Sequence, residues 1–310
     1  MTDSRHRRPE QICLIIGAMK SGTTSLFNYL AEHPQICPSR TKEPDFFALD
    51  EVYAQGLDWY FDLWDWRPGA QAVALEASTN YTKRPVFEHT AARIAAVEGV
   101  RFKFIYVMRD PLARIESQAK YAAYAGREAR GEVHARNNPR FSRSYSLDAG
   151  VSDLAVAFSK YAYQLDPFAR LFPRQDIKLV SFEDLIGDPA AVLRDICGFL
   201  TVDPDHAFDV AGTAFNESAG LTRPADAWLK LRAIGPLEKL AVGLVPAAMR
   251  RRLRDLVTSR PRGRFTLTAD ERDAVRRALI PDLVRLRDDF GFDAEAAWGI
   301  ELGRGHAGDR

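Results

Sequence analysis

The stretch Ile12–Ser25, with the sequence ICLIIGAMKSGTTS, decides the fold of this chain. Its first part, Ile12–Ala18, is a short apolar run rich in β-branched residues, which predicts a strand buried on both faces. A glycine-containing turn follows, and Thr23–Glu32 then shows helical spacing. Such a turn presents backbone N–H groups at the positive end of the helix dipole, where anions bind. The stretch therefore predicts an α/β protein with a phosphate loop.

Further apolar runs alternate with helical segments along the rest of the chain. Strands are predicted at Ala72–Thr79, Phe102–Met108 and Ile177–Phe182, and helices from about Pro111, over Leu154–Leu171, over Ala190–Leu200 and from a capping box at Thr268 to about Phe290. This alternation predicts a parallel β-sheet with helices on both faces. We expect a single domain over residues 1–310, with a polar tail (1–10), a nucleotide-binding α/β core (11–200) and a mostly helical C-terminal part (201–310).

Composition and charge exclude several classes of protein. The chain is 46% hydrophobic and 27% charged, which is ordinary globular chemistry and excludes a disordered or fibrous chain over most of its length. A net charge of +1 argues against a general nucleic-acid binder. The three cysteines, Cys13, Cys37 and Cys197, lack metal-ligand spacing and predict buried thiols in a reducing compartment. Because no apolar run approaches the ~18 residues of a membrane helix and no signal peptide is visible, we expect a cytoplasmic protein without a transmembrane segment.

The phosphate loop departs from the nucleotide-triphosphate pattern G-x-x-x-x-G-K-[ST]. Gly17 and Gly22 keep the glycine spacing, but Lys20 stands two positions before the second glycine instead of directly after it. Nothing in this order requires Mg²⁺, and the strand Phe102–Met108 ends in Arg109 instead of a metal-holding aspartate. These differences argue against a P-loop kinase of a small metabolite, which stays the alternative enzyme, and predict a site without a metal.

Three motifs resemble the sulfotransferases that use 3′-phosphoadenosine 5′-phosphosulfate (PAPS), in particular the branch of heparan-sulfate-type and bacterial enzymes. The family's 5′-phosphosulfate loop is similar to Gly17–Ser25, its 3′-phosphate motif to Val107–Ser117 (VMRDPLARIES), and its Lys-Glu-Pro-x-Phe-Phe stretch to Lys42–Phe47 (KEPDFF). The resemblance covers the α/β core and, more loosely, the last helix. It implies the P-loop-like sulfotransferase fold, PAPS as the sulfuryl donor and no metal cofactor.

The resemblance assigns the two anionic ends of PAPS to two sets of residues. The phosphosulfate end falls to the loop residues Lys20, Ser21, Gly22, Thr23, Thr24 and Ser25. The 3′-phosphate falls to Arg109, whose planar fork suits a phosphate, and to Ser117, eight residues later and ~12 Å along a helix. Each has a structural alternative, because Arg109 could pair with Asp110 or Asp184 and Ser117 could face solvent.

Sulfuryl transfer to a hydroxyl or amine is an in-line displacement that needs a base for the acceptor proton and cations for the developing charge. In the resembled branch the proposed base is a glutamate in a Glu-x-Ser/Thr-x-x-Tyr setting, which Glu76, Ser78 and Tyr81 match at the end of a predicted strand. A structural ion pair of Glu76 stays open. In the small-molecule branch the base is a histidine, for which His89 and His134 are the candidates.

Two lysines are candidates for the charge on the transferring group. Lys20 suits both the sulfuryl group and the leaving phosphate. Lys42 follows the first helix, where it could reach the sulfuryl group or the acceptor, or pair with Glu43 or Asp45.

The surroundings of the site are less specific in sequence. The stretches Gly126–Tyr145 and Arg250–Arg264 are rich in arginine, which predicts either a solvated basic surface or an anion-recruiting rim, and the candidates for closing over the cofactor are Arg223, Arg262 and Arg264. The aromatic cluster of Trp59, Tyr60, Phe61, Trp64 and Trp66 favours core packing over sugar stacking.

The acceptor stays open among a saccharide, a lipid-linked group, a phenol and an amine, and the oligomeric state stays unknown. The absence of a visible leader or anchor leads us to expect a bacterial-type enzyme instead of a Golgi glycan enzyme. The alternative outside enzymes is a catalytically inactive nucleotide-binding module, against which the combination of Glu76 and Lys20 argues.

Overall fold

The computed structural model describes residues 8–125, 146–210, 223–224, 258–259 and 264–302. The central sheet is parallel and consists of β1 (Gln11–Gly17), β2 (Ile36–Pro38), β3 (Val73–Ala77), β4 (Arg101–Met108) and β5 (Ile177–Ser181). The strands lie in the order β2-β3-β1-β4-β5. Since ligands of open parallel sheets bind beyond the carboxyl ends of the strands, the loop after β1 lies at the centre of the expected binding edge.

Helices connect the strands. In chain order they are α1 (Thr23–Ala31), α2 (Asp50–Tyr53), α3 (Gly56–Phe61), α4 (Thr90–Ala95), α5 (Pro111–Ala125), α6 (Asp153–Ala157), α7 (Tyr161–Leu171), α8 (Phe182–Gly187), α9 (Pro189–Leu200), α10 (Ala269–Phe290) and α11 (Ala294–Trp298). Short 3-10 turns cover Thr79–Thr82 and Arg174–Asp176.

The side chains of β1 alternate between two apolar cores, one on each face of the sheet. Ile12, Leu14 and Ile16 lie in the core that α5, α7 and α10 cover. Cys13 and Ile15 lie in the core that α1 and α9 cover. This alternation confirms the predicted strand buried on both faces, and with it the α/β fold with helices on both sides of a parallel sheet.

The C-terminal part that the structure describes packs on the α/β core. The carboxylate of Asp282, in the middle of α10, accepts hydrogen bonds from the backbone N–H groups of Ala162 (3.0 Å) and Tyr163 (2.8 Å) at the start of α7. The predicted capping box at the start of α10 is present, with Thr268 and Glu271 bonded reciprocally. Helix α10 is thereby fixed at both its start and its middle.

Two local predictions differ from the structure. The helix predicted over Leu154–Leu171 is interrupted between α6 and α7. Around the break, the buried guanidinium of Arg114 donates to Ser159 Oγ and to the carbonyl of Ala155. These contacts hold the chain between α6 and α7 in a conformation that does not continue the helix. The sequence analysis also missed the edge strand β2, since three residues are too few to show a period.

Some predicted features lie outside the described residues. They are the stretch Gly126–Tyr145 with His134, residues 250–257 and 260–263 with Arg262, and the side chain of Arg223, whose backbone alone is described, in a short antiparallel pair with Ser259. Among the described helices none has the length and apolar character needed to span a bilayer. The three cysteines are buried free thiols, as predicted.

Candidate active site

The phosphate loop starts where β1 packs tightly against the segment after β3. A Cβ atom on Gly17 would lie 2.2 Å from Thr82 Oγ1 and 2.7 Å from a ring carbon of Tyr106, so no other residue fits there without a rearrangement. Thr82 Oγ1 also donates a hydrogen bond of 2.5 Å to the carbonyl of Ile16. The loop is therefore anchored to the same chain segment that follows the predicted base, Glu76.

The loop backbone then turns through two left-handed residues into α1. Lys20 has a φ of 70° and Gly22, the N-cap of α1, has a φ of 80°. A left-handed lysine is unusual, because only glycine adopts this region without strain. Within the described residues Ser21 Oγ is buried and has no hydrogen-bond partner. A buried hydroxyl without a partner is costly unless a ligand bonds to it, so this atom fits a loop built to receive an anion.

The ammonium group of Lys20 rests on an aromatic ring. Its Nζ atom lies 4.3 Å from the centroid of the Tyr121 ring on α5, within the range of a cation–π contact. Burial, together with the nearby charge of Arg109, lowers the pKa of Lys20 to about 8. An anion bound beside Lys20 would raise this pKa again, because it stabilises the charged form.

Arg109 follows the end of β4 and also lies against the phosphate loop. Its Nη1 donates to the carbonyl of Lys20 at 3.3 Å, and its Cζ lies 4.6 Å from the centroid of the Phe182 ring. It forms no ion pair with Asp110 or Asp184 in the part of the chain that the structure describes. Asp110 instead caps α5, because its Oδ1 accepts from the backbone N–H groups of residues 112 and 113. The guanidinium thus contacts a carbonyl and a ring, and keeps donors for an anion.

Ser117 lies partly exposed on α5, the helix that begins two residues after Arg109. No hydrogen bond joins the two side chains among the described residues. The 3′-phosphate role of Ser117 therefore stays a prediction.

Glu76 is fully buried near the carboxyl end of β3 and is surrounded by hydroxyl groups. Tyr60 OH donates to Oε2 at 2.9 Å, Ser78 Oγ donates to Oε1 at 2.7 Å, and the hydroxyl of Tyr81 also bonds to the carboxylate. Strand β3 pairs directly with β1, where Glu76 lies opposite Leu14. Glu76 therefore stands near the carboxyl end of its strand, as the sequence predicts, and that strand neighbours the one that runs into the phosphate loop.

The pKa of Glu76 is raised to about 7, because burial disfavours the charged carboxylate. The three hydroxyl donors act in the opposite direction, since they stabilise the charge, and the nearby Asp45 adds to the increase. A carboxyl group that titrates near neutral pH is suited to act as a general base. Glu76 forms no ion pair among the described residues. Its carboxylate is therefore held by hydroxyl groups and not by the structural ion pair that the sequence left open.

The KEPDFF segment lies beside the end of β3. The backbone N–H of Glu43 donates to the carbonyl of Ala77 at 2.9 Å, and that of Asp45 donates to Ser78 Oγ at 3.1 Å. Lys42 forms an ion pair with Glu43, with Nζ 2.9 Å from Oε1. The pairing weighed from the sequence is therefore present, and a catalytic role of Lys42 stays a prediction.

The remaining candidates lie apart from this cluster. His89 is exposed and is the N-cap of α4. Arg264 binds Glu271 at the start of α10, with Nη2 2.7 Å from Oε1, and so serves the capping region. Within the described residues no group of three or more His, Cys, Asp and Glu side chains could hold a metal ion, and the absence of a metal cofactor stays a prediction.

The sequence did not reveal three aromatic residues of the site, because each meets its partner only when the chain is folded. Tyr60 belongs to the cluster predicted as core, which is correct for its burial, but its hydroxyl lies on Glu76. Tyr121 and Phe182 support Lys20 and Arg109 from two other elements. None of these pairs is close enough in sequence to show a pattern.

The residues present fit a ligand with two separate anionic ends. The loop amides, the unpartnered Ser21 Oγ and Lys20 form one set of donors, and Arg109 forms another at the end of the neighbouring strand. This arrangement suits PAPS, whose charge is divided between a 5′-phosphosulfate and a 3′-phosphate.

Comparison with known proteins gives matches at the levels of family, sequence and fold. The model of the sulfotransferase domain family matches residues 10–211. Heparan sulfate glucosamine 3-O-sulfotransferase 3B1 of Mus musculus is 30% identical over 247 residues, which are 78% of this chain and 59% of that protein. The 3-O-sulfotransferase 6 of Homo sapiens is 28% identical over 277 residues, or 86% of this chain and 74% of that protein.

Among solved structures, a sulfotransferase from Alicyclobacillus acidocaldarius aligns with a TM-score of 0.59 at 24% identity, covering 93% of this chain and 98% of that one. This likeness confirms the fold. The chain spans only 59% and 58% of the length of the mouse 3B1 and 3A1 enzymes.

Proposed function

Since this chain belongs to the sulfotransferase domain family, we propose that it transfers the sulfuryl group of PAPS to a hydroxyl or amine of an acceptor. The products are the sulfated acceptor and adenosine 3′,5′-bisphosphate (PAP). One observation carries this proposal: the two strands that flank β1 carry Glu76 and Arg109 at their carboxyl ends, and β1 itself runs into the loop that holds Lys20. A base and two cations thereby share one edge of the sheet.

PAPS supplies the sulfuryl group and a good leaving group, so the protein has to supply a base and charge stabilisation. Glu76 takes the acceptor proton. Its carboxylate is enclosed by hydroxyl donors, so we expect the acceptor hydroxyl to take the place of one of them. Lys20 and the loop donors Ser21–Ser25 hold the 5′ end, and Arg109 with Ser117 holds the 3′-phosphate.

A saccharide hydroxyl is the acceptor class that we propose to test first. The curated relatives are named for sulfation of a glucosamine in heparan sulfate, and a lipid-linked group, a phenol or an amine would also suit a glutamate base. The roles of Lys42 and Arg223, the single domain over the chain and the cytoplasmic location stay predictions from the sequence.

The test is transfer of labelled sulfate from PAPS to a panel of acceptors, with uronic-acid-containing and glucosamine-containing oligosaccharides beside phenols and amines.

Turnover in excess EDTA checks the prediction of metal independence. Thermal shifts with PAP and with ATP separate the two enzyme classes, because a kinase should bind ATP better. Stabilisation by ATP but not PAP, together with Mg²⁺-dependent phosphate transfer, would contradict the proposal.

A further inference from the structure

Phe182 lies between the two candidate anion sites without belonging to either. It is the first residue of α8, directly after β5. The guanidinium carbon of Arg109 lies 4.6 Å from the centroid of its ring. A Cβ atom on Gly22 would lie 2.8 Å and 2.9 Å from two carbons of the same ring, so the ring also packs on the backbone at the start of α1. One side chain therefore touches the phosphate loop and the arginine of the next strand.

The backbone on both sides of Phe182 is held in place. Ser181 Oγ accepts from the backbone N–H of Asp184 at 3.2 Å and so caps α8. The carboxylate of Glu183 accepts from the backbone N–H of Asp110 (3.2 Å) and from Trp298 Nε1 (2.9 Å). The ring thus extends from a support that is bonded to the residue next to Arg109 and to α11.

An arginine needs such a support more than most side chains do. Its long side chain has several rotatable bonds, and the guanidinium of Arg109 has no carboxylate partner among the described residues. Contact with an aromatic face restricts the guanidinium plane, and bidentate recognition of a phosphate depends on that plane. In this site the Phe182 ring restricts it, together with the long hydrogen bond from Nη1 to the carbonyl of Lys20.

We propose that Phe182 is a positioning residue that sets the place of Arg109 relative to the phosphate loop, and thereby selects ligands with phosphates at both the 3′ and the 5′ end. This inference rests on the proposed function. It predicts that the loss of the ring weakens recognition of the 3′-phosphate much more than that of the 5′ end, where the ring only packs on the backbone at Gly22.

The experiment measures the dissociation constants of PAP and of adenosine 5′-monophosphate, which lacks the 3′-phosphate, by calorimetry. Phe182→Leu should weaken PAP binding about three- to tenfold, the size of a partly buried cation–π contact. Its affinity for the monophosphate should stay within about twofold of the wild type. Phe182→Tyr keeps the ring and should bind both ligands as the wild type does. Phe182→Met, which fills the same space without a ring, serves if the leucine variant does not fold.

A second comparison tests whether Phe182 acts through Arg109. In an Arg109→Ala background, adding Phe182→Leu should cause no further loss of PAP affinity, because the supported group is already gone. A further loss equal to that in the wild-type background would overturn the inference.

Two outcomes distinguish this inference from the function on which it rests. If the wild type bound PAP no more tightly than the monophosphate, the proposed cofactor would be wrong, and the inference with it. If the wild type preferred PAP but Phe182→Leu kept that preference, or lost affinity for both ligands equally, only the role of Phe182 would be overturned.

Discussion

Around the carboxyl end of β1, the carboxylate of Glu76 on the β3 side is enclosed by hydroxyl donors, whereas the cations on the side of β4 and α5 rest on aromatic rings. Glu76 has no exposed surface and three hydroxyl partners. Lys20 and Arg109 are partly exposed and lie over Tyr121 and Phe182. The carboxylate of Glu76 is thus preorganised, and burial sets its proton affinity. Lys20 and Arg109, in contrast, can exchange a ring contact for a contact with a ligand.

The largest effect that would test this comparison is on the β3 side. Glu76→Gln keeps the size and most hydrogen bonds of the side chain but cannot accept a proton. We expect the turnover rate to fall by ~10²–10⁴, with the dissociation constant of PAP nearly unchanged, in single-turnover and calorimetric measurements. Turnover close to that of the wild type with a good acceptor would place the base elsewhere, and His89 and His134 would be the next residues to change.

On the β4 side, Lys20→Ala should lower the rate by ~10²–10³, the usual size of one electrostatic contact to the transition state. Unlike the Glu76 variant, it should also weaken PAP binding, because the ground-state ligand already carries charge. Lys20→Arg keeps the charge and should recover part of both losses. If Lys20→Ala bound PAP as the wild type does, the proposed division between the two sides would be wrong.

A smaller effect is expected at the 3′ end. Arg109→Ala should weaken PAP binding about ten- to a hundredfold, since a charge-assisted hydrogen bond contributes ~1.5–3 kcal/mol. Ser117→Ala should cost less, because a serine provides a neutral donor. Binding of adenosine 5′-monophosphate serves as the control, and an equal loss for both ligands would remove the assignment of the 3′-phosphate to Arg109.

The smallest effect concerns the pH dependence. Glu76 must be deprotonated and Lys20 protonated, so kcat/KM should fall below about pH 7, the raised pKa of Glu76, and above about pH 8, the lowered pKa of Lys20. Tyr60→Phe removes a donor that stabilises the carboxylate, so the pKa of Glu76 should rise further. The acidic limb should then move to higher pH by about one unit. An acidic limb that stayed in place would show that Glu76 does not control it.

The sequence predicted the fold, and which polar residues stand at the strand ends, better than it predicted the contacts within the site. Runs such as Phe102–Met108 predict buried strands because burial on both faces demands continuous apolar residues. The loop, Arg109 and Glu76 each follow or end such a run, so their placement at one edge of the sheet follows from the parallel topology.

The residues that support these groups could not be predicted in the same way. Phe182 is 73 residues from Arg109, and Tyr60 is 16 residues from Glu76, with the end of α3 and a loop between them. Their contacts depend on the order of strands and on which side of a helix faces the sheet. The break between α6 and α7 was hidden for a similar reason, because it depends on Arg114 from another helix.

The hydrogen bond between Glu183 and Trp298 links the stability of α11 to that of the backbone beside Arg109. A helix of five residues such as α11 has almost no stability of its own. Its indole N–H is held by the carboxylate that also binds the amide next to Arg109. Backbone amides of α11 should therefore exchange with solvent deuterium as one cooperative unit with the start of α5 and α8, and not through local fraying.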